Sequence, residues 1–298
     1  MKSHSKCLAK GLFLLVLALS FSSITLYVNA YNFEHVNVTT RVNITNAFPE
    51  IHLVEVDQNI VLNAGSITTV TCNATIRDWN GFNDINNVNA TFYYYLNNSD
   101  DPDDRNVHYT NATCVEIDND GEYWANYSCS FEVHYFANNG SWNCNVTVID
   151  DHGFTDAANN TTTINALYAL NVTDIIDYGN LSVTDTSEEI NATVTNFGNM
   201  DINVTVLGYG LTEGDGIGLV CEHGNNISIE YQRFSSADLV SWDDKTVLDE
   251  LGKDMNMTIP QPTEASNPET WITHWQLYVP PNPFGICTGT IRFTATVP

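Results

Sequence analysis

Thr68-Thr69-Val70-Thr71-Cys72-Asn73-Ala74-Thr75-Ile76 sets Val70, Cys72, Ala74 and Ile76 on one parity and threonines with Asn73 on the other. Successive side chains of a strand point to opposite faces, so the stretch predicts a strand with one buried apolar face and one polar face. Trp142-Asn143-Cys144-Asn145-Val146-Thr147-Val148 repeats the pattern, with Trp142, Cys144, Val146 and Val148 sharing a face. Both cysteines therefore point inward from strands distant in sequence, which suits a disulfide between two sheets beside a buried tryptophan.

Outward from these two runs, the chain from Ile51 on consists of short apolar-alternating segments separated by Asn, Asp and Gly, with hardly any helical period. This predicts an all-β protein. The 298 residues are enough for two sandwich-sized domains. The turn-rich stretch from Asp150 to Asn160, followed by one more strand at Thr161–Ile164, puts the boundary near Asn165, giving domains at 49–165 and 166–298. Within the second domain, Asp238, Leu239, Val240, Trp242, Val247, Leu248 and Leu251 give 235–250 the one partial amphipathic period, and a short helix is expected there.

The same parity places Asn-x-Ser/Thr acceptors on the outer faces of strands, as in Val88-Asn89-Ala90-Thr91-Phe92 and Ile202-Asn203-Val204-Thr205-Val206. Acceptors fall at Asn37, Asn43, Asn73, Asn89, Asn97, Asn111, Asn126, Asn139, Asn145, Asn159, Asn160, Asn171, Asn180, Asn191, Asn203, Asn226 and Asn256. In an exported chain they predict a glycan-coated exterior, leaving strand edges and loop ends for partners.

Export is expected from the first thirty residues: Lys2, Lys6 and Lys10, an apolar run from Leu12 to Val28, then Val28-Asn29-Ala30 before a cleavage at Tyr31. Two alternatives stand beside this signal peptide. One is an uncleaved anchor; the other is a retained pilin-like helix, since Lys10-Gly11-Leu12-Phe13 resembles a prepilin-peptidase site. No second apolar span follows, so no membrane span is expected after cleavage, and the product is expected to be secreted or held at the cell surface. Residues 31–48 form an N-terminal extended segment in which Val36, Val38, Thr40, Val42 and Ile44 alternate. It is expected to be either a strand donated to another copy or the first strand of its own domain.

The formal net charge of −26 disfavours nucleic acid and anionic membranes as partners. Six cysteines remain once Cys7 leaves with the signal, an even number that predicts three disulfides in an oxidising compartment. The four in the first domain allow three pairings. The expected set is Cys72–Cys144, with Cys114–Cys129 across the hairpin signal Asp118-Asn119-Asp120-Gly121, leaving Cys221–Cys287 for the second domain.

At Val70–Gly81 with Gly140–Gly153, the chain resembles tandem immunoglobulin-like modules of archaeal secreted and cell-surface proteins, a pairing also similar to PKD and cadherin-like repeats. Thr195-Asn196-Phe197-Gly198-Asn199-Met200-Asp201-Ile202 resembles a strand turn of adhesion-type modules. The resemblance implies two tandem immunoglobulin-like β-sandwiches after the signal peptide, a fold that hosts many unrelated roles.

The sharpest candidate for chemistry is a calcium site. Asp78, Asn80 and Asp84 lie in the loop after the first cysteine strand, and Asp150 and Asp151 follow the second, at the same end of the predicted sandwich. Hard oxygen ligands from two adjacent loops suit Ca²⁺; ordinary Asx turns are the competing reading. The histidines are scattered, no serine or cysteine sits in a nucleophile motif, and Gly208–Gly216 lacks the Lys of a phosphate loop, so no enzyme and no other cofactor is expected. Three functions follow: a structural or adhesive envelope glycoprotein that contacts other envelope proteins or copies of itself, including as a polymerising subunit; a calcium-stabilised module binding carbohydrate or protein through loop aromatics such as Trp79; and a pilin-like subunit.

Overall fold

A computed structural model describes residues 36–298. The signal peptide, its cleavage site, Cys7 and the retained-helix alternative fall outside the described residues. Residues 46–298 form one compact unit, to which residues 36–45 do not belong. Residues 36–49 hold no strand. The expectation of a first strand here is thus corrected: pairing begins at β1, Glu50–Val56. Val36, Val38, Val42 and Ile44 are 78–82% exposed.

Seven further strands complete the first sandwich: β2 (Ile67–Arg77), β3 (Ile85–Tyr94), β4 (His108–Asn111), β5 (Val115–Asn119), β6 (Trp124–His134), β7 (Gly140–Asp150) and β8 (Thr155–Ile164). One sheet runs β1-β2-β6-β5 and the other β4-β3-β7-β8, with every pair antiparallel. This is the immunoglobulin strand order. The turn-rich region expected from Asp150 to Asn160 is shorter than its composition suggested. β8 already starts at Thr155: Thr155, Ala157, Asn159, Thr161 and Thr163 are exposed while Asp156, Ala158, Asn160, Thr162 and Ile164 turn inward, on an edge strand.

The alternation of β2 and β7 becomes alternating burial, with Cys72, Ile76, Trp142, Cys144, Val146 and Val148 excluded from solvent. Cys72 joins Cys144 across the two sheets, and Cys114 joins Cys129. Trp142 stacks on Phe92, ring centroids 4.8 Å apart, and its Nε1–H donates to the carbonyl of Asn138 at 2.8 Å. Immunoglobulin-type sandwiches often anchor this corner with a tyrosine two residues before the cysteine; here the indole makes the equivalent bond to backbone.

The second set of strands is β9 (Leu170–Val172), β10 (Ile190–Asn196), β11 (Ile202–Tyr209), β12 (Ile217–His223), β13 (Ile227–Ser228), β14 (Gln232–Ser235), β15 (Thr246–Val247), β16 (Lys253–Ile259), β17 (Thr270–Leu277), β18 (Phe284–Thr288) and β19 (Thr290–Thr296). The sheet β15-β14-β17-β10-β9 faces β16-β11-β19 over a core that includes Val194, Val204, Phe234, Met257 and Trp275. A third sheet, β13-β12-β18, carries the Cys221–Cys287 disulfide over a small separate core of Leu219, Ile227 and Leu277. The helix expected over 235–250 is absent. Those residues form a single 3-10 turn at Trp242–Asp244 and the two-residue β15, and the apolar positions split: Leu248 is buried while Leu239 and Leu251 are exposed.

The turn between β10 and β11 joins the two sandwiches. Asn196 Nδ2 donates to the carbonyls of Met200 and Pro260, and its Oδ1 accepts from Gly198 N–H. Asn199 Oδ1 accepts from Leu167 N–H at 2.6 Å, while its Nδ2 donates to the carbonyls of Ala137 and Asn165. Gly198 must lack a side chain, since a Cβ there would lie 2.0 Å from the carbonyl oxygen of Leu167.

Candidate cation site at the sandwich end

The strand ends bring carboxylates together. β2 ends at Arg77, and the chain turns through Asp78 and a short 3-10 turn, Phe82–Asp84, into β3; β7 ends at Asp150 and turns through His152 into β8. β3 and β7 are neighbours, with Ile85 opposite Asp150, so the two loops meet. Oxygen atoms of Asp84 and Asp150 and a ring nitrogen of His152 all lie within 4.8 Å of one another.

Asp78 is wholly buried and Asp150 nearly so. Asp150 is well satisfied: Oδ1 accepts from the N–H groups of His152 and Phe154 and Oδ2 from Asn46 Nδ2 at 2.7 Å. Asp78 is satisfied on one side alone, where Oδ1 accepts from Asn80 N–H at 2.8 Å. Its Oδ2 is buried with no hydrogen-bond partner, and so is Oδ2 of Asp84, whose other oxygen lies 3.3 Å from His152 Nδ1. Burial and then the like charges of Asp84 and Asp150 raise the Asp78 carboxyl above the ordinary aspartate value, against the opposing pull of Asn80 N–H and the His152 ring. The unpartnered buried oxygens of Asp78 and Asp84, beside Asp150, leave negative charge that a hard cation would neutralise.

Asp84 and Asp150 come together with His152, while Asp78 lies buried at the start of the same loop and feels the charges of both carboxylates. Asn80 and Asp151 are at the same end but exposed, and their side chains are already engaged: Asn80 Oδ1 accepts from Ala47 N–H, and Asp151 Oδ1 from Asn86 Nδ2. The sequence reading missed His152 and Asn46. His152 was visible within the loop, but a histidine is a poor signal for a calcium site; Asn46 lies 104 residues from Asp150, and no local pattern links them.

The other acidic loops contrast with this one. Asp215 Oδ1 and Oδ2 accept from the N–H groups of Gly210, Leu211, Thr212 and Ile217, which hold its carboxyl down to about 2. Asp101 and Asp120 are likewise held below the ordinary range by backbone N–H groups. Glu189, Asp238 and His274 converge in the second sandwich, but buried Lys245 already places its Nζ 2.5 Å from Glu189. A built-in ammonium does there what a metal would do.

Beside the carboxylate loop, Trp79 is 54% exposed. Its ring packs on Tyr123 at 5.3 Å, with the Arg77 guanidinium 4.4 Å over its face and 5.2 Å from Trp124. Phe82, in the same loop, packs against the core. The six cysteines among the described residues are all in disulfides, so none is a free nucleophile. None of the acceptor asparagines is buried.

No protein-family model matches the sequence. No curated protein matches it either. Among solved structures the chain is similar to carbohydrate-binding modules of the β-sandwich superfamily, at 11% identity over 85% of this chain and 97% of the other, with a TM-score of 0.26. It is similar to the CsuC–CsuE chaperone–tip adhesion subunit complex of Acinetobacter baumannii Csu pili, at 10% identity over 82% and 100%, TM-score 0.38. It is also similar to the C-terminal domain of the Streptococcus agalactiae AgI/II polypeptide BspA, at 10% identity over 80% and 90%, TM-score 0.23. At these values the fold rests on the chain's own strand order. No described helix is long and apolar enough to cross a membrane.

Proposed function

We propose that the protein is a non-enzymatic, N-glycosylated structural or adhesive subunit of the extracellular surface, with Ca²⁺ bound between Asp78, Asp84 and Asp150 to lock one end of its first sandwich. The observation that carries the calcium part is the unpartnered Oδ2 of the wholly buried Asp78. Export and glycosylation are supported by three disulfides and by acceptors that all lie away from the core. Copies assemble through residues 36–44, whose alternating valines and isoleucine stand in solvent with no strand of their own.

A second reading, a module that binds carbohydrate or protein, is favoured by the exposure of Trp79 over Arg77 and Tyr123. An aromatic face held rigid beside a cation-locked loop suits stacking on a sugar ring.

The test is thermal unfolding of the secreted glycoprotein in Ca²⁺ and in chelator. At Ca²⁺ near 100 times the dissociation constant, binding stabilises by about 2.7 kcal/mol, a rise of about 5–10 °C in Tm for a chain of this size. A Tm indifferent to millimolar Ca²⁺ would remove calcium from the account.

A further inference from the structure

The second sandwich carries a groove with an exposed apolar rim beside its third sheet. A cleft of about 670 Å³ lies between β18 and residues 175–183, which hold no strand, and opens onto Leu219, Ile227 and Leu277. Those three are the small core beneath the Cys221–Cys287 disulfide. Along the rim Ile175, Val183, Phe284 and Ile286 are exposed, the last two at 62% and 68%. Among the described residues β18 pairs with β12 alone, which makes it the outer strand of its sheet. Tyr178 and Leu181 cover the small core, and the exposed apolar rim beside the free edge of β18 is a groove that an added strand can occupy.

We infer that residues 36–44 of a second copy fill this cleft as an added strand along β18. The inference rests on the reading that copies assemble through this segment, and it names the acceptor. Three features of the segment suit the cleft. Val36, Val38, Val42 and Ile44 share one parity and can all face the apolar floor. Acceptors Asn37 and Asn43 share the other parity, so their glycans stay in solvent when the strand is seated. Arg41 is the one charged side chain from 36 to 45; it lies on that outer parity, and Asp177 and Glu222 stand exposed at the acceptor, Asp177 lining the cleft and Glu222 Oε2 accepting from Ile286 N–H at 3.1 Å. In a chain of net charge −26 a cationic strand approaching this rim meets no like charge of its own.

The full-length secreted chain tests this by size-exclusion light scattering of three proteins: the wild type, Val38→Asp with Val42→Asp, and Ile286→Lys. Assemblies are expected for the wild type, with assembly affinity reduced at least tenfold in each variant. An equimolar mixture of the two variants is expected to form heterodimers, because one retains a donor and the other a groove. A wild type that is monomeric at every concentration, with its segment folded into its own cleft or free, overturns both the inference and the assembly reading. Assemblies that persist in Ile286→Lys but vanish in Val38→Asp/Val42→Asp overturn the groove and leave the assembly reading standing. Mixed Val42→Cys and Phe284→Cys chains are read separately, so that unfolding of a charge variant does not decide the result. A heterodimeric disulfide mapped by mass spectrometry supports the inference, and its absence under oxidising conditions overturns it.

Discussion

Asn199 of the second sandwich donates from Nδ2 to the carbonyl of Ala137 in the first, at 3.0 Å, and both residues are buried. The same amide holds Leu167 N–H and the carbonyl of Asn165, so one side chain spans the chain's passage between the sandwiches. Gln261 supports it from the side, donating to the carbonyl of Phe136 at 2.7 Å and to Asn138 Oδ1 at 2.9 Å. Phe197 adds a ring against Tyr135 at 5.6 Å. A junction built on buried Asn196 and Asn199, whose amide groups are used on both sides, is stiff.

Asn199→Ala leaves two carbonyls and an N–H without their partner. At about 1–3 kcal/mol for each buried group left unpaired, the loss is a large part of the stability of a domain. Denaturant unfolding should show a lower midpoint, and limited proteolysis should cut near residues 165–168 in the variant and not in the wild type. An unchanged protease map would mean the junction is held by packing, not by Asn199.

The buried Asp78 makes a pH prediction of unusual sign. Its folded value is raised, so the native state binds the proton more tightly than the unfolded chain. That contribution is present at acid pH and is lost as pH rises through the folded value. In chelator the protein should therefore gain stability on mild acidification. It should lose stability again at lower pH, where Asp215, Asp101 and Asp120, all depressed in the folded state, take up protons. Asp78→Asn should raise the Tm in chelator at neutral pH, abolish the gain on acidification and remove the response to Ca²⁺. A loss of Tm in chelator on Asp78→Asn would contradict the placement of an uncompensated charge there.

Most of the first sandwich was legible because its strands are long and one-sided: the sequence alternates over Thr68–Ile76 in β2 and Trp142–Val148 in β7, and burial follows parity. The carboxylate loops were legible for the same reason, since knowing where two strands end fixes which loops share an end. What escaped was set by distance or by weak local signals. The bond of Asn46 to Asp150 joins residues too far apart for periodicity to register. The stretch 235–250 has helix-like spacing, yet its chain is tied to the sheet by Arg233, whose guanidinium donates to the carbonyls of Trp242 and Asp243. The N-terminal segment alternates as a strand does, but a pattern does not supply a partner strand, and residues 36–49 lack one.

Trp79 offers a prediction that separates binding from stability. Its ring is more than half exposed, so Trp79→Ala should change the unfolding midpoint little, mainly through lost stacking on Tyr123 and Arg77. If the loop binds sugar, the same change should abolish retention on the glycan that the wild type recognises in an array, with Trp124→Ala weakening it less because that ring is partly covered. Equal array profiles for wild type and Trp79→Ala would take this loop out of any binding role.

The Lys245 side chain is fully excluded from solvent, with Nζ 2.5 Å from Glu189 Oε2. Glu189 also stands 2.9 Å from His274 Nδ1, and although burial opposes it, the bonds and charges of Lys245 and His274 win and lower its carboxyl. A depressed carboxyl stabilises above its unfolded value and loses that contribution as pH falls through its folded one. Removing the ammonium alone, in Lys245→Met, should cost up to about 3–5 kcal/mol, because it strands a largely buried carboxylate; the quarter of Glu189 that remains exposed reduces the cost. Pairing it with Glu189→Met should recover much of the loss, since a buried ion pair and an apolar pair of similar volume differ little. Urea unfolding of both single variants and the double variant measures the coupling directly. A double variant as unstable as Lys245→Met would mean that the ammonium holds β15 and its loop by packing, with Glu189 contributing nothing.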